Sequence, residues 1–393
     1  MKIARFIVAV AFIASGSASA QIAVSANDGK QLQPWDDPPG VRPDSISILD
    51  ISHYPPRLLA SVAAPASMIG SPTAVAVARD SSFAIVTNSQ KVDPANPGKL
   101  IANDEVTVVD LANPRDPKVT QILHAGPTVN GVSLNRAGTL ALAASGGDDS
   151  ITVFSVAHRR LAFVAKLILE AHANPADVVF SKDGRQAFAL ERGPSKIEIL
   201  AVDGIKVSDT GKGIVTGRGP YGAVVTPDGK YLINTNTGGA IAPSAPPAGG
   251  GRSPRASSSL TMVDIATGQL VSSVNVGVTS EHVALSSNGK YAEVTLQNNS
   301  TVPPGDPNYN SRRGVISVLA VGQGSLQPVA SADSCHWPQG ATWSKDDKTI
   351  LLDCAEEREI WVYRFDGKTL TQDPSATLKF YDRPGALATA YSR

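Results

Sequence analysis

The run Ser334-Cys335-His336-Trp337-Pro338-Gln339-Gly340 holds the densest set of reactive side-chain types in this 393-residue chain. A cysteine beside a histidine supplies a nucleophile with its base, two metal ligands, or half of a disulfide next to an unrelated ring. Adjacent side chains on extended backbone point to opposite sides, which disfavours a Cys335–His336 catalytic pair. No His-x-x-x-His or Cys-x-x-Cys spacing supports zinc, and no Cys-x-x-Cys-His supports covalent haem. A Gly-x-Ser-x-Gly elbow is missing, as is a glycine-rich loop between strand and helix. The acidic turns at Gly146-Gly147-Asp148-Asp149-Ser150 and Asp36-Asp37 offer oxygens to calcium, but such pairs are usually solvated. The expectation is therefore no metal and no cofactor.

The elements that position these residues come from a repeat. Residues 221–236, YGAVVTPDGKYLINTN, align without a gap to 176–191, ADVVFSKDGRQAFALE. Segments 73–88, 130–145, 281–296 and 339–354 follow the same register. Each is a run of alternating apolar residues, a Gly/Asn/Asp turn and a second such run, the pattern of a β-hairpin. A third run follows each hairpin, as in EVTVVDL and LTMVDIA, and then a fourth, such as QLVSSVNVG at 269–277. Four strands per unit, repeated along the whole chain, predict an all-β fold: a seven-bladed β-propeller. Six units run from residue 73 to about 380. The seventh is expected from the C-terminal inner strand, 385–393, joined to strands in 21–64, which closes the ring and removes exposed sheet edges. Residues 21–393 then form one domain.

The first twenty residues carry Lys2 and Arg5, an apolar run from Phe6 to Ala14, and Ala18-Ser19-Ala20 before Gln21. That is the pattern of a secretory signal peptide, so a periplasmic or secreted protein without a transmembrane segment is expected. Without Lys2 and Arg5 the chain has 33 basic and 35 acidic residues, a net charge near −2. No basic stripe points to nucleic acid. In an exported chain, two cysteines suggest a bridge. Cys335 falls in the entry loop of blade six and Cys354 ends its second strand, both on one face of one blade, so a disulfide is expected.

Connections between second and third strands are long at 28–43, 89–103, 237–258 and 297–313. In a propeller these rise on the face where each blade is entered, so they would wall a bowl over the central channel. The insertion at 237–259, rich in Gly, Pro, Ala and Ser, reads as a flap or an inert insertion. Trp35 and Tyr309 either line a pocket or pack their loops down. Entry positions place Thr73, Asn130, Asp177, Tyr221, His282 and Gln339 at or beside equivalent sites, with Arg383 before the last blade and His336 at the rim. Such a ring suits a polar small ligand, or it hydrates the channel mouth. A protein partner at the same face is the alternative occupant.

The segments AIVTNSQ at 84–90, TPDGKYLINTN at 226–236 and LTMVDIATGQLVSSVNVG at 260–277 resemble the YVTN-type repeats of bacterial seven-bladed propellers, a group that includes the propeller lactonases. The resemblance covers essentially the whole chain after the leader and implies fold far more than function. Lactonases of this type would carry a Pro-Arg-His entry motif and an Asn-Glu strand end. Here blade four reads Pro220-Tyr221-Gly222 and ends Asn236-Thr237, while blade five has Ser280-Glu281-His282 and Leu296-Gln297. His282 alone matches. With Asp177 or Arg383 it would activate water and polarise a lactone carbonyl. Three functions follow as expectations: an exported binding or accessory propeller, a lactonase-type hydrolase, or a propeller subunit of an exported redox enzyme resembling the propeller chains of amine dehydrogenases.

Overall fold

The computed structural model describes residues 21–36, 40–238 and 257–390. The leader, Asp37 and most of the 237–259 insertion lie outside the described residues. Seven antiparallel sheets surround one axis; blades one to five hold four strands in sequence order, blade six adds Leu378–Lys379 as a fifth, and blade seven joins the two ends of the chain. Their innermost strands are Val75–Val77, Val129–Leu134, Pro175–Phe180, Pro220–Val225, Ser280–Leu285, Pro338–Trp343 and Arg383–Thr389, which define blades one to seven. Blade seven combines that last strand with Ile22–Asp28, Ser45–Asp50 and Arg57–Ala63. Pairing of Ala23 with Thr389 and of Val24 with Ala388 closes the ring.

Successive side chains on a strand point to opposite sheet faces, and in a propeller both faces pack on a neighbouring blade. In blade two, Ala141 and Ala143 join the core shared with blade one, whereas Leu140 and Leu142 join that shared with blade three. The same division produces one apolar core between each adjacent pair of blades. Inner strands are therefore buried along nearly their whole length, polar positions included.

The hairpin turns repeat one device. Ser181 and Thr226 each donate a hydroxyl hydrogen bond to an aspartate two residues on, Asp183 at 2.7 Å and Asp228 at 2.6 Å. The glycine after each aspartate, Gly184 at φ +70° and Gly229 at φ +79°, takes the left-handed conformation that closes the turn.

One long connection differs from expectation. Residues 89–103 are a protruding β-hairpin, not a loop, with Gln90 paired to Ala102 and Val92 to Leu100. Val92 and Leu100 form an apolar cross-strand pair, and this hairpin extends the ladder of blade one beyond the body of the sheet.

Candidate functional site

Six of the seven innermost strands carry one extra residue near their start. Pairing jumps from Val129↔Ser145 to Val132↔Ala143 in blade two and from Pro175↔Glu191 to Asp177↔Leu190 in blade three. Equivalent shifts occur in blades four, five, six and seven. A bulge of this kind re-aims side chains and bends the strand. Here it draws the blades together around the axis. At Gly131 a Cβ would lie 2.6 Å from the Thr73 hydroxyl oxygen and overlap the Asp177 carboxylate. Gly131, Gly222, Gly340 and Gly385 occupy the same register, and Asp177 and His282 are its two large residues.

Those two side chains make the same inter-blade bond. Asp177 accepts from the N–H of Ala223 in blade four at 3.0 Å, and His282 Nδ1 accepts from the N–H of Ala341 in blade six at 3.3 Å. Behind His282, Glu293 lies 3.9 Å from Nδ1 and accepts from the Thr295 hydroxyl at 2.8 Å. Burial pushes the Glu293 carboxyl up, against the opposing pull of His282 and Thr295.

The segment entering blade one, Ala66 to Thr73, covers the axis. Met68 packs with Trp337 and Ala355 of blade six, and its N–H bonds Asp28 of blade seven at 3.0 Å. Ser71 donates to the Tyr221 carbonyl of blade four at 3.0 Å, and Thr73 donates to Ser71 at 2.9 Å. The predicted entry residues consequently sit in a covered layer: Thr73 is 3 % exposed, Asn130 8 %, Tyr221 9 %, Gln339 2 %. The Arg192 guanidinium lies 5.0 Å from the centre of the Tyr221 ring. Burial, then the nearby Glu281 charge, pushes the Tyr221 phenol up. Glu281 shares this layer and was not singled out from sequence, where it registers only as a departure from the lactonase motif.

Arg383, His336 and the cysteines hold loops. Arg383 donates to the carbonyls of Gln31 at 3.1 Å and Ala355 at 2.8 Å, to Glu356 at 3.1 Å, and to Asp36. Burial raises the Asp36 carboxyl, but the Gln33 N–H and the Arg383 and Arg358 charges outweigh it and hold the group low. Buried His336 faces Glu357 at 2.8 Å through Nδ1 and the Tyr309 carbonyl at 2.9 Å through Nε2, and stacks on the Tyr309 ring at 3.8 Å. Cys335 and Cys354 form the expected disulfide, with Cα atoms 5.6 Å apart. Glu357 lies near both sulfurs, but a bonded pair has no thiolate to offer a metal. Trp35 donates to Glu356, so it and Tyr309 both pack their loops down.

Among the described residues, long connections rise on blades seven, one and five, whereas the second-to-third turns of blades two, three and six are short. A depression of about 970 Å³ lies over blades two and three. Its lining includes Asp149, Glu170, His172, Asn174 and Arg218, with Gly146, Gly147 and Gly193 supplying close backbone. Asp149 accepts the N–H groups of His172 and Asn174, both at 2.8 Å, and fixes that loop with His172 at φ +67° and Asn174 at φ +46°. Glu170 pairs with Lys196 at 3.1 Å, which also meets Glu191 at 3.4 Å and Glu198 at 2.7 Å. Burial lifts the Glu191 carboxyl to about 7 despite Lys196. Of this set, sequence reading marked the Gly146–Ser150 turn, as calcium oxygens; His172, Glu170 and Arg218 carry no local motif.

No family model and no curated relative matches the chain. Solved structures do. The periplasmic gluconolactonase of Pseudomonas aeruginosa superposes with a TM-score of 0.68 at 15 % identity, over 95 % of this chain and 100 % of that one. A candidate 6-phosphogluconolactonase from Bacteroides fragilis gives 0.69 at 15 % identity, over 95 % and 99 %. Hydrazine synthase of Kuenenia stuttgartiensis gives 0.56 at 16 % identity, over 77 % and 78 %. The chain therefore has the seven-bladed β-propeller fold found in the propeller gluconolactonases.

Proposed function

We propose that this protein is an exported hydrolase of a polar lactone, acting at the depression over blades two and three. The observation that carries the reading is the meeting of an exposed imidazole, His172, with Glu170 and Arg218 in one open cavity, within a fold shared with gluconolactonases. In this assignment His172 takes a proton from water as it adds to the lactone carbonyl, and Arg218 stabilises the oxyanion. The ring C–O bond then breaks and the proton passes to the leaving ring oxygen, giving the open hydroxy acid. Glu170 and Asp149 supply acceptors for substrate hydroxyls. Export is supported by the leader pattern and the disulfide.

The test is turnover of aldonolactones and aromatic-pathway lactones by the mature protein. His172→Ala should lower kcat by about 100-fold or more, the usual share of a general base. His282→Ala, a change in the covered layer, serves as the comparison. No turnover of any lactone, or full activity in His172→Ala, would overturn the proposal. A second reading, an exported binding or accessory propeller using the loop-rich face, is favoured by one observation: the entry residues aligned with lactonase positions are covered and bonded to backbone. Saturable lactone binding without turnover would select it.

A further inference from the structure

The axial channel, covered at the loop-rich face, opens into a separate cavity at the opposite, short-turn face. This cavity measures about 320 Å³ and is lined from six of the seven blades, which places it on the axis. Its rim is a single register position repeated around the ring. That position holds Arg79, Arg136 and Lys182 in blades one to three, then Pro227, Ser287 and Ala390 in blades four, five and seven; its blade-six counterpart, Lys345, is exposed and does not line the cavity. Among the lining residues, one wall is thus cationic and the other neutral.

No carboxylate lines the cavity among the described residues. The nearest acids sit in the adjacent turns: Asp80 accepts the Ser82 N–H at 3.0 Å, and Asp183 and Asp228 accept from Ser181 and Thr226. Against burial, the Thr226 bond and, among the weaker pulls, the Lys182 charge hold the Asp228 carboxyl low. Asp347 of blade six accepts the N–H of Ser287. Arg79 and Arg136 have no ion-pair partner among the described residues. Three like charges lining one concave wall repel each other and are relieved by a bound anion. Below the rim, Val77, Leu134, Phe180 and Val225 supply apolar surface among the polar Ser133, Asn135, Ser181 and Thr226. The volume is at the lower end of the range for small-molecule sites, roughly 300–1,000 Å³.

We propose that this cavity binds a small linear dicarboxylate, its two carboxylates shared among Arg79, Arg136 and Lys182 and its methylene chain lying between them against the valine, leucine and phenylalanine floor. The site is distinct from the loop-face depression and does not rest on the lactonase reading.

The experiment is calorimetric titration of the mature protein at low salt with adipate, its neutral diamide and inorganic phosphate. Adipate should bind, phosphate at least about tenfold more weakly, and the diamide not measurably. Each cation removed should cost about tenfold, so Arg79→Gln/Arg136→Gln/Lys182→Gln should abolish measurable binding. Pro227→Glu keeps all three cations and puts a carboxylate on the neutral wall; it too should weaken adipate binding. Arg115→Gln, an exposed change elsewhere, should leave binding unchanged. Absence of adipate binding at about 10 mM, a level far weaker than ordinary ligand sites, overturns the proposal. So does equal binding by the triple variant or by the diamide. Phosphate binding as tightly as adipate also overturns it, because charge alone would then suffice.

Discussion

Ser71, at the entry to blade one, donates a hydrogen bond to the carbonyl of Tyr221 in blade four at 3.0 Å. These blades are separated around the ring by blades two and three, so the bond spans the axis. It is possible because bulged inner strands bring small residues to the centre. Gly131 and Gly222 both lie against Thr73, and any side chain at Gly131 would also meet Asp177. Gly131→Ala should therefore destabilise the ring by about 1–3 kcal/mol, the usual cost of overpacking a filled interior. Urea denaturation of the two proteins measures it, and an unchanged midpoint would contradict the closed arrangement.

The Cys335–Cys354 bridge, with a sequence separation of 19, joins the entry of blade six to the end of its second strand. In the chain-entropy model a loop of this size contributes about 3 kcal/mol. Cys335→Ser/Cys354→Ser should lower the melting temperature in the absence of reductant, and reductant should lower that of the wild type but not of the variant. Mass-shift labelling of denatured, unreduced protein should find no free thiol.

The blades were legible because the hairpins share a local code of alternating residues around a tight turn, complete with hydroxyl donor, aspartate and glycine at Ser181-Asp183-Gly184 and Thr226-Asp228-Gly229 and varied elsewhere. Blade-seven closure followed from an inner strand at 385–393 that stops where its hairpin turn should come and a strand at 22–27 that matches the second strands of other blades. Three features lacked such a code. The Ala66–Thr73 crossing has no periodicity and takes its path from distant partners in blades four, six and seven. The inner-strand bulges shift pairing by one residue without changing the apolar pattern. The 89–103 hairpin was hidden by its Pro-Gly content, although it pairs Val92 with Leu100 across its two arms. The loop-face depression is likewise built from short loops of successive blades, so no contiguous motif marks it.

Asp353 is fully buried, and neither carboxylate oxygen has a hydrogen-bond partner among the described residues. Burial pushes its carboxyl well above the ordinary range. The folded state keeps the proton that the unfolded chain releases above pH ~4, so stability is lost as pH rises toward the folded-state value, at most about 1.4 kcal/mol per pH unit. Asp353→Asn removes this dependence. The variant should match the wild type near pH 4 and exceed it increasingly toward neutral pH. Parallel pH–stability curves by chemical denaturation would refute the assignment.

Arg383 separates a catalytic from a structural account of the covered layer. It is 1 % exposed and shared among Gln31, Ala355, Glu356 and Asp36, which together pin the 28–43 connection against blade six. Removing one partner of a buried ionic network leaves the others uncompensated, at a cost of about 3–5 kcal/mol. Arg383→Met should show that loss in urea, and Arg383→Lys should recover part of it, since an ammonium keeps the charge but cannot span the same acceptors. A clamp predicts that whatever turnover the folded protein has survives in Arg383→Lys. A transition-state role predicts the opposite pairing, near-normal stability with turnover lost. Measuring both quantities on the same two variants decides between them.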